Sequence, residues 1–110
     1  MALTDAQKAT LQTHQQTVQQ QVYQKRQEIA LLSQAIGQFS SDLGQYPEQI
    51  FFSGVPSGVD QDDPPLTRTI NYQWDKVDET FNLGNIVQKI TELRKFMDQL
   101  EDATSQLAAG

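Results

Sequence analysis

The chain has 110 residues, no cysteine and a net charge of −6, which makes it the size of one small domain and excludes disulfide frameworks, Cys-bound zinc and thiol chemistry. No basic stripe is present that could neutralise several phosphates, so direct nucleic-acid binding is not expected. No run of about 18 apolar residues is present to span a membrane.

The first element is expected to be a long helix over residues 4–43. Thr4-Asp5-Ala6-Gln7 fits a capping box, with a hydroxyl acceptor at the N-cap and Gln7 reaching back to it. Asp5 suits the positive end of the helix dipole. Residues 1–7 also lack a basic region followed by an apolar core, so no secretion signal is expected. Along this helix Val18, Val22, Lys25, Ile29, Leu32, Ile36, Phe39 and Leu43 recur in alternating steps of four and three. That is a 3.5-residue period, the mark of helices wound around one another. Extended backwards, the ladder passes through Lys8, Leu11 and Gln15, so its N-terminal third is half polar. The pairing energy is therefore expected toward the loop end, from Ile29 to Leu43. Lys25 at a core position costs stability and narrows the possible registers. Gly44 is expected to stop the helix. The outer faces are rich in glutamine: eleven of the chain's eighteen lie between Gln7 and Gln38. Gln forms helix well and carries no charge, so such faces repel one another weakly.

Residues 44–82 form a segment of different character. It holds all four prolines, the only Trp and a net charge of −5. Ile50-Phe51-Phe52 reads as a short strand, and Ser53 to Gly58 as a turn-rich loop. Asp60 to Pro65 reads as an exposed, proline-stiffened acidic turn. From Thr67 to Trp74 the pattern alternates, with Ile70, Tyr72 and Trp74 on one side, as in a half-buried strand. Extended structure is expected to continue through Val77, Glu79 and Phe81; the competing reading is a short helical turn capped by Asp75.

A second helix is expected from Asn82 or Asn85 to about Ala108, with a ladder of Leu83, Ile86, Ile90, Leu93, Met97 and Leu100. The expected class is thus mainly α: a single domain over 1–110, in which a long helix (4–43), a β-containing loop head (44–82) and a shorter helix (83–108) form an antiparallel coiled-coil hairpin. The second helix is expected to pair with the loop-proximal half of the first. Leu11 and Val18 would then be left for a partner chain.

No catalytic, cofactor or metal site is expected. His14, the only histidine, lies among Gln12, Gln15 and Gln16 without the nucleophile or orienting carboxylate that catalysis needs. Asp60, Asp62 and Asp63 resemble the opening of a calcium loop. Pro65 stands where that loop needs glycine, however, and Asn71 where it needs glutamate. Gly54 and Gly58 lack the lysine and following helix of a phosphate cradle. The aromatic residues Tyr46, Phe51, Phe52, Tyr72, Trp74 and Phe81 carry two readings. One is a small core over the end of the hairpin. The other is a partner-contact surface centred on Phe51, Phe52, Tyr72 and Trp74, since Trp and Tyr are common binding anchors.

The order helix, β-containing middle, helix resembles the prefoldin subunits, as does the Gln-rich first helix. That resemblance implies an antiparallel coiled-coil hairpin joined by β-hairpins and assembled into a barrel. The acidic proline-rich loop and the shorter second helix depart from it. Small Gln-rich, Cys-free helical chains with a polar loop also look like virion or tail-assembly components of bacteriophages. The expected function is a non-enzymatic structural or assembly protein, with further copies of itself and other protein subunits as partners, in a virion or the cytoplasm. The alternative is a prefoldin-like chaperone or adaptor that binds clients through the aromatic head.

Overall fold

The structure, a computed structural model, describes residues 2–62 and 68–110, so the Asp63-Pro64-Pro65 part of the acidic turn lies outside the described residues. The fold is mainly helical: a long helix, a short two-stranded sheet segment and further helix. In chain order the elements are α1 (Asp5–Gln45), a 3-10 turn (Pro47–Gln49), β1 (Ile50–Ser53), β2 (Ile70–Gln73), α2 (Trp74–Phe81) and α3 (Leu83–Ala109).

The capping box at the start of α1 forms in both directions. The Gln7 N–H donates to Thr4 Oγ1 at 3.1 Å, and the Thr4 N–H donates to Gln7 Oε1 at 2.9 Å. Two of the helix's unpaired N-terminal donors are thereby satisfied. The helix continues through Gly44 to Gln45, and Pro47 follows at the first position of the 3-10 turn. At the start of α3 the cap is Asn82, whose Oδ1 accepts the Asn85 N–H at 3.0 Å.

The extended structure expected over 75–81 is corrected: this stretch is the helix α2. The apolar residues Trp74, Val77 and Phe81 are spaced three and four apart, which gathers them on one helical face. A strand would have placed the charged Glu79 on the same side as Val77 and Phe81. Burial follows the helical choice, since Trp74, Val77 and Thr80 are half-buried while Asp75, Lys76, Asp78 and Glu79 are exposed.

The chain resolves into two compact units. The first comprises residues 1–30 and 87–110. Here the two helical stretches run antiparallel. Gln15 Nε2 donates to Thr104 Oγ1 at 3.0 Å, Lys25 pairs with Glu92, and Arg26 meets the sulfur of Met97, so rising numbers on α1 face falling numbers on α3. Gly110 lies against Leu3. Val18 and Ala103, 1% and 2% exposed, are the two fully buried side chains among the described residues. The expectation that Val18 awaits another chain is therefore corrected. Residues 87–109 of α3 lie along residues 5–30 of α1, and Val18 is buried within the chain.

The second unit is residues 31–86. Strands β1 and β2 pair in parallel, with Ile50 opposite Ile70 and Phe52 opposite Tyr72. Parallel strands need a crossover of about a dozen residues or more, and residues 54–69 provide it. The β-hairpin implied by the prefoldin resemblance is thus replaced by a parallel pair. Gly54 (φ 71°) and Gly58 (φ 92°) take left-handed backbone in the turn that opens the crossover, a conformation that side-chain-bearing residues rarely adopt.

Candidate interaction surfaces

On α1 the inward positions are Lys8, Leu11, Gln15, Val18, Val22, Lys25, Ile29, Leu32, Ile36, Phe39 and Asp42, all buried or half-buried. The ladder read from the sequence falls on these positions until its last member. Leu43 is 51% exposed, and Asp42 takes the inward place. The physical reason is a polar contact: the Tyr72 hydroxyl donates to Asp42. Burial, and then this bond to Asp42, push the Tyr72 phenol up to about 12.

On α3 the observed ladder is displaced from the expected one. Ile86, Leu93 and Leu100 are half-buried, whereas Leu83, Ile90 and Met97 are exposed by 72%, 36% and 42%. The places of Ile90 and Met97 are taken by Lys89 and Phe96, one residue earlier in each heptad, and Ala103 continues the series. The steps 86, 89, 93, 96, 100, 103, 107 are as regular as the expected set. They also reach Ala103 and Leu107, beyond Leu100 where the expected ladder ends. The signal that would have found this register was present: Phe96 is the bulkiest apolar residue of the helix.

At Lys25 the seam is polar and satisfied. Its ammonium lies 2.6 Å from Glu92 and 2.9 Å from Glu28, and Lys89 adds a 3.6 Å contact to Glu28. The Lys25 side chain is only 15% exposed, so its stem is packed while its charge is shared by two carboxylates. Its hydrogen bonds to Glu92 and Glu28 raise the Lys25 pKa, and in turn Lys25 holds both carboxyls below the usual range. Lys25 and Lys89 both face the acidic pair from core positions, which ties the register to one pairing.

In the second unit five rings form a connected cluster. Phe39 is its hub, with ring centroids 5.1 Å from Tyr72, 5.1 Å from Phe81 and 6.0 Å from Phe52; Phe52 in turn lies 5.7 Å from Trp74 and edge-on to it. These are distances and tilts that aromatic pairs prefer. Phe52, Tyr72 and Trp74, expected among the contact residues, are thus drawn into an intrachain cluster and half-buried. Phe51 alternates with Phe52 along β1 and makes no ring contact with the cluster. Tyr46 and Phe81 remain 45% and 44% exposed.

One edge-protecting contact had no signal in the sequence. The Gln61 side-chain amide accepts from the Phe52 N–H at 3.2 Å and donates to the Phe52 carbonyl. It thereby pairs with β1 on the edge away from β2, much as another strand would. His14 is exposed near Thr10 and Thr13. Among the described residues, no three His, Asp or Glu side chains are grouped to hold a metal ion, and no helix is long and apolar enough to cross a membrane.

No family model, curated protein or solved structure matches this chain.

Proposed function

We propose that this chain is a non-enzymatic assembly protein that completes its fold by associating with further copies of itself and with other protein subunits. The supporting observation is the balance of burial. Two side chains are fully buried among the described residues, while ten large hydrophobic ones are exposed, among them Tyr23, Leu31, Leu83 and Val87. A two-helix seam has one buried stripe per helix, and its half-buried Leu and Ile side chains gain only part of the roughly 1.5–3 kcal/mol that full burial provides. The share of surface buried on folding falls as chains get smaller, which narrows the margin of a small chain further. Quaternary burial supplies what the single chain lacks. The composition, rich in Gln and free of Cys, matches a virion or tail component of a bacteriophage, and this is the particle class proposed.

A second reading keeps the prefoldin-like role of client binding. It is favoured by the exposed Tyr46, Val59 and Phe81 of the aromatic unit. Sedimentation of the purified chain separates the two. The assembly reading expects a discrete oligomer that survives molar salt, because its contacts are apolar. Client binding expects a small complex that captures unfolded polypeptide and loses that capture when Phe81 becomes Ser.

A further inference from the structure

The displaced register of α3 leaves a second heptad ladder one residue on from the seam, about 100° around the helix. Val87, Ile90, Arg94, Met97, Glu101, Thr104 and Ala108 follow one another in steps of three and four, and every one of them is exposed. The first residues are apolar and open: Val87 is 53% exposed, Ile90 36% and Met97 42%. The ladder spans 22 residues, roughly 33 Å at 1.5 Å per residue. Arg26 and Gln15 of α1 reach the edge of this ladder at Met97 and Thr104, and an exposed ladder of 3.5-residue period beside a seam is a helix-pairing face.

The charges on this face say what covers it. Arg94 and Glu101 lie one heptad apart on either side of Met97, and among the described residues neither takes part in an ion pair. A second copy laid parallel and in register would set Arg94 against Arg94 and Glu101 against Glu101. A copy laid antiparallel, with its two-fold axis near Met97, sets each Arg94 beside the other copy's Glu101. It also sets Val87 toward Ala108, a large residue toward a small one. The pattern is therefore complementary to itself in one orientation, as an isologous two-fold contact requires.

We infer that α3 is the self-association helix of this protein, pairing antiparallel with α3 of a second copy across a two-fold axis near Met97. This rests on the assembly reading above and specifies its first interface.

Cysteine chemistry tests it cleanly, because the chain has no cysteine of its own. Under mild oxidation, Met97→Cys should form a covalent dimer. Val87→Cys alone should not, but mixed with Ala108→Cys chains it should cross-link to them. In sedimentation, Arg94→Glu and Glu101→Arg should each weaken association by about tenfold or more, and the double reversal should restore it. All these positions are exposed, so far-UV circular dichroism should stay unchanged. Cross-linking of Val87→Cys chains to one another would overturn the antiparallel pairing, and normal association of Arg94→Glu would overturn the interface, both leaving the assembly reading intact. A wild-type chain that stays monomeric at hundreds of micromolar would overturn both.

Discussion

The paired-helix unit and the aromatic unit cover the same stripe of α1 by different chemistry. Over residues 5–30 the stripe mixes apolar and polar positions, and its partner is another helix that matches them: Gln15 with Thr104, Lys25 with Glu92. Over residues 31–45 it is apolar up to Phe39, and its cover is a cluster of rings on β1, β2 and α2. The difference separates two tasks. Ion pairs at half-exposed positions are individually weak, typically about 0–1 kcal/mol, so they contribute little stability but penalise wrong registers. Aromatic packing contributes more per contact, about 0.5–1.5 kcal/mol beyond the area buried. The first unit accordingly combines a polar register with the fully buried Val18 and Ala103, and the second packs through its rings.

Breaking the hub of the rings should produce the largest effect. Phe39→Ala removes three ring contacts at once, and because the site is half-buried the expected loss is about 2–4 kcal/mol. Urea unfolding followed by near-ultraviolet circular dichroism measures it. A loss below about half a kcal/mol would mean the rings are surface residues that happen to touch.

The corresponding change in the helix pair is an insertion. Ala103 is 2% exposed, so a larger side chain there would have to fit inside the helix pair. Ala103→Leu should cost about 1–3 kcal/mol by overpacking, whereas Ala108→Leu on the exposed side of the same helix should leave monomer stability nearly unchanged. Equal costs at the two positions would contradict the register described for α3.

Titration sharpens the contrast from both ends of the pH scale. Tyr72 titrates higher in the folded chain than its ordinary 10.0, at about 12. Its contribution is therefore complete below pH 10 and lost as pH rises from about 10 toward 12. Tyr72→Phe should remove that alkaline loss, as read by unfolding midpoints at pH 9 and pH 11.5. Glu28 and Glu92 run the other way. Their carboxyls sit below the ordinary 4.5, so their contribution is present above that pH and fades as pH falls below it. Lys25, raised above its ordinary 10.5, contributes below that value and loses its hold as pH rises past it. Lys25→Met should flatten the acid limb, a smaller effect than the Tyr72 one because both carboxylates are partly open to solvent, 47% and 39% exposed. An unchanged acid limb in that variant would show that the network does not bear on stability.

The parts of this architecture legible in the sequence were those with local or periodic causes. The capping box of Thr4 and Gln7 is contained in four residues, and the ladder of α1 repeats often enough to fix its phase as far as Phe39. The phase of α3 was open because Ile90 and Met97 offered an apolar ladder as regular as Lys89, Phe96 and Ala103; only the charged surroundings of Glu28 settle why a lysine belongs in the seam. α2 was obscured because Val77, Glu79 and Phe81 alternate while Trp74, Val77 and Phe81 follow helical spacing. Asp42 and Gln61 act through partners 30 and 9 residues away, Tyr72 and Phe52, and no local pattern announces such contacts. The acidic Asp63-Pro64-Pro65 stretch was read from sequence alone.

The central claim is that association completes the fold. The most direct test is the dependence of the unfolding midpoint on protein concentration, followed by far-ultraviolet circular dichroism from about 1 to 100 µM. Mass action requires that a fold stabilised by self-association melt at a higher denaturant concentration as the protein concentration rises. The account predicts a midpoint that climbs steadily across that range, and a shallower climb for Arg94→Glu. A midpoint that stays fixed over the whole range would contradict it, because the single chain would then hold its fold unaided.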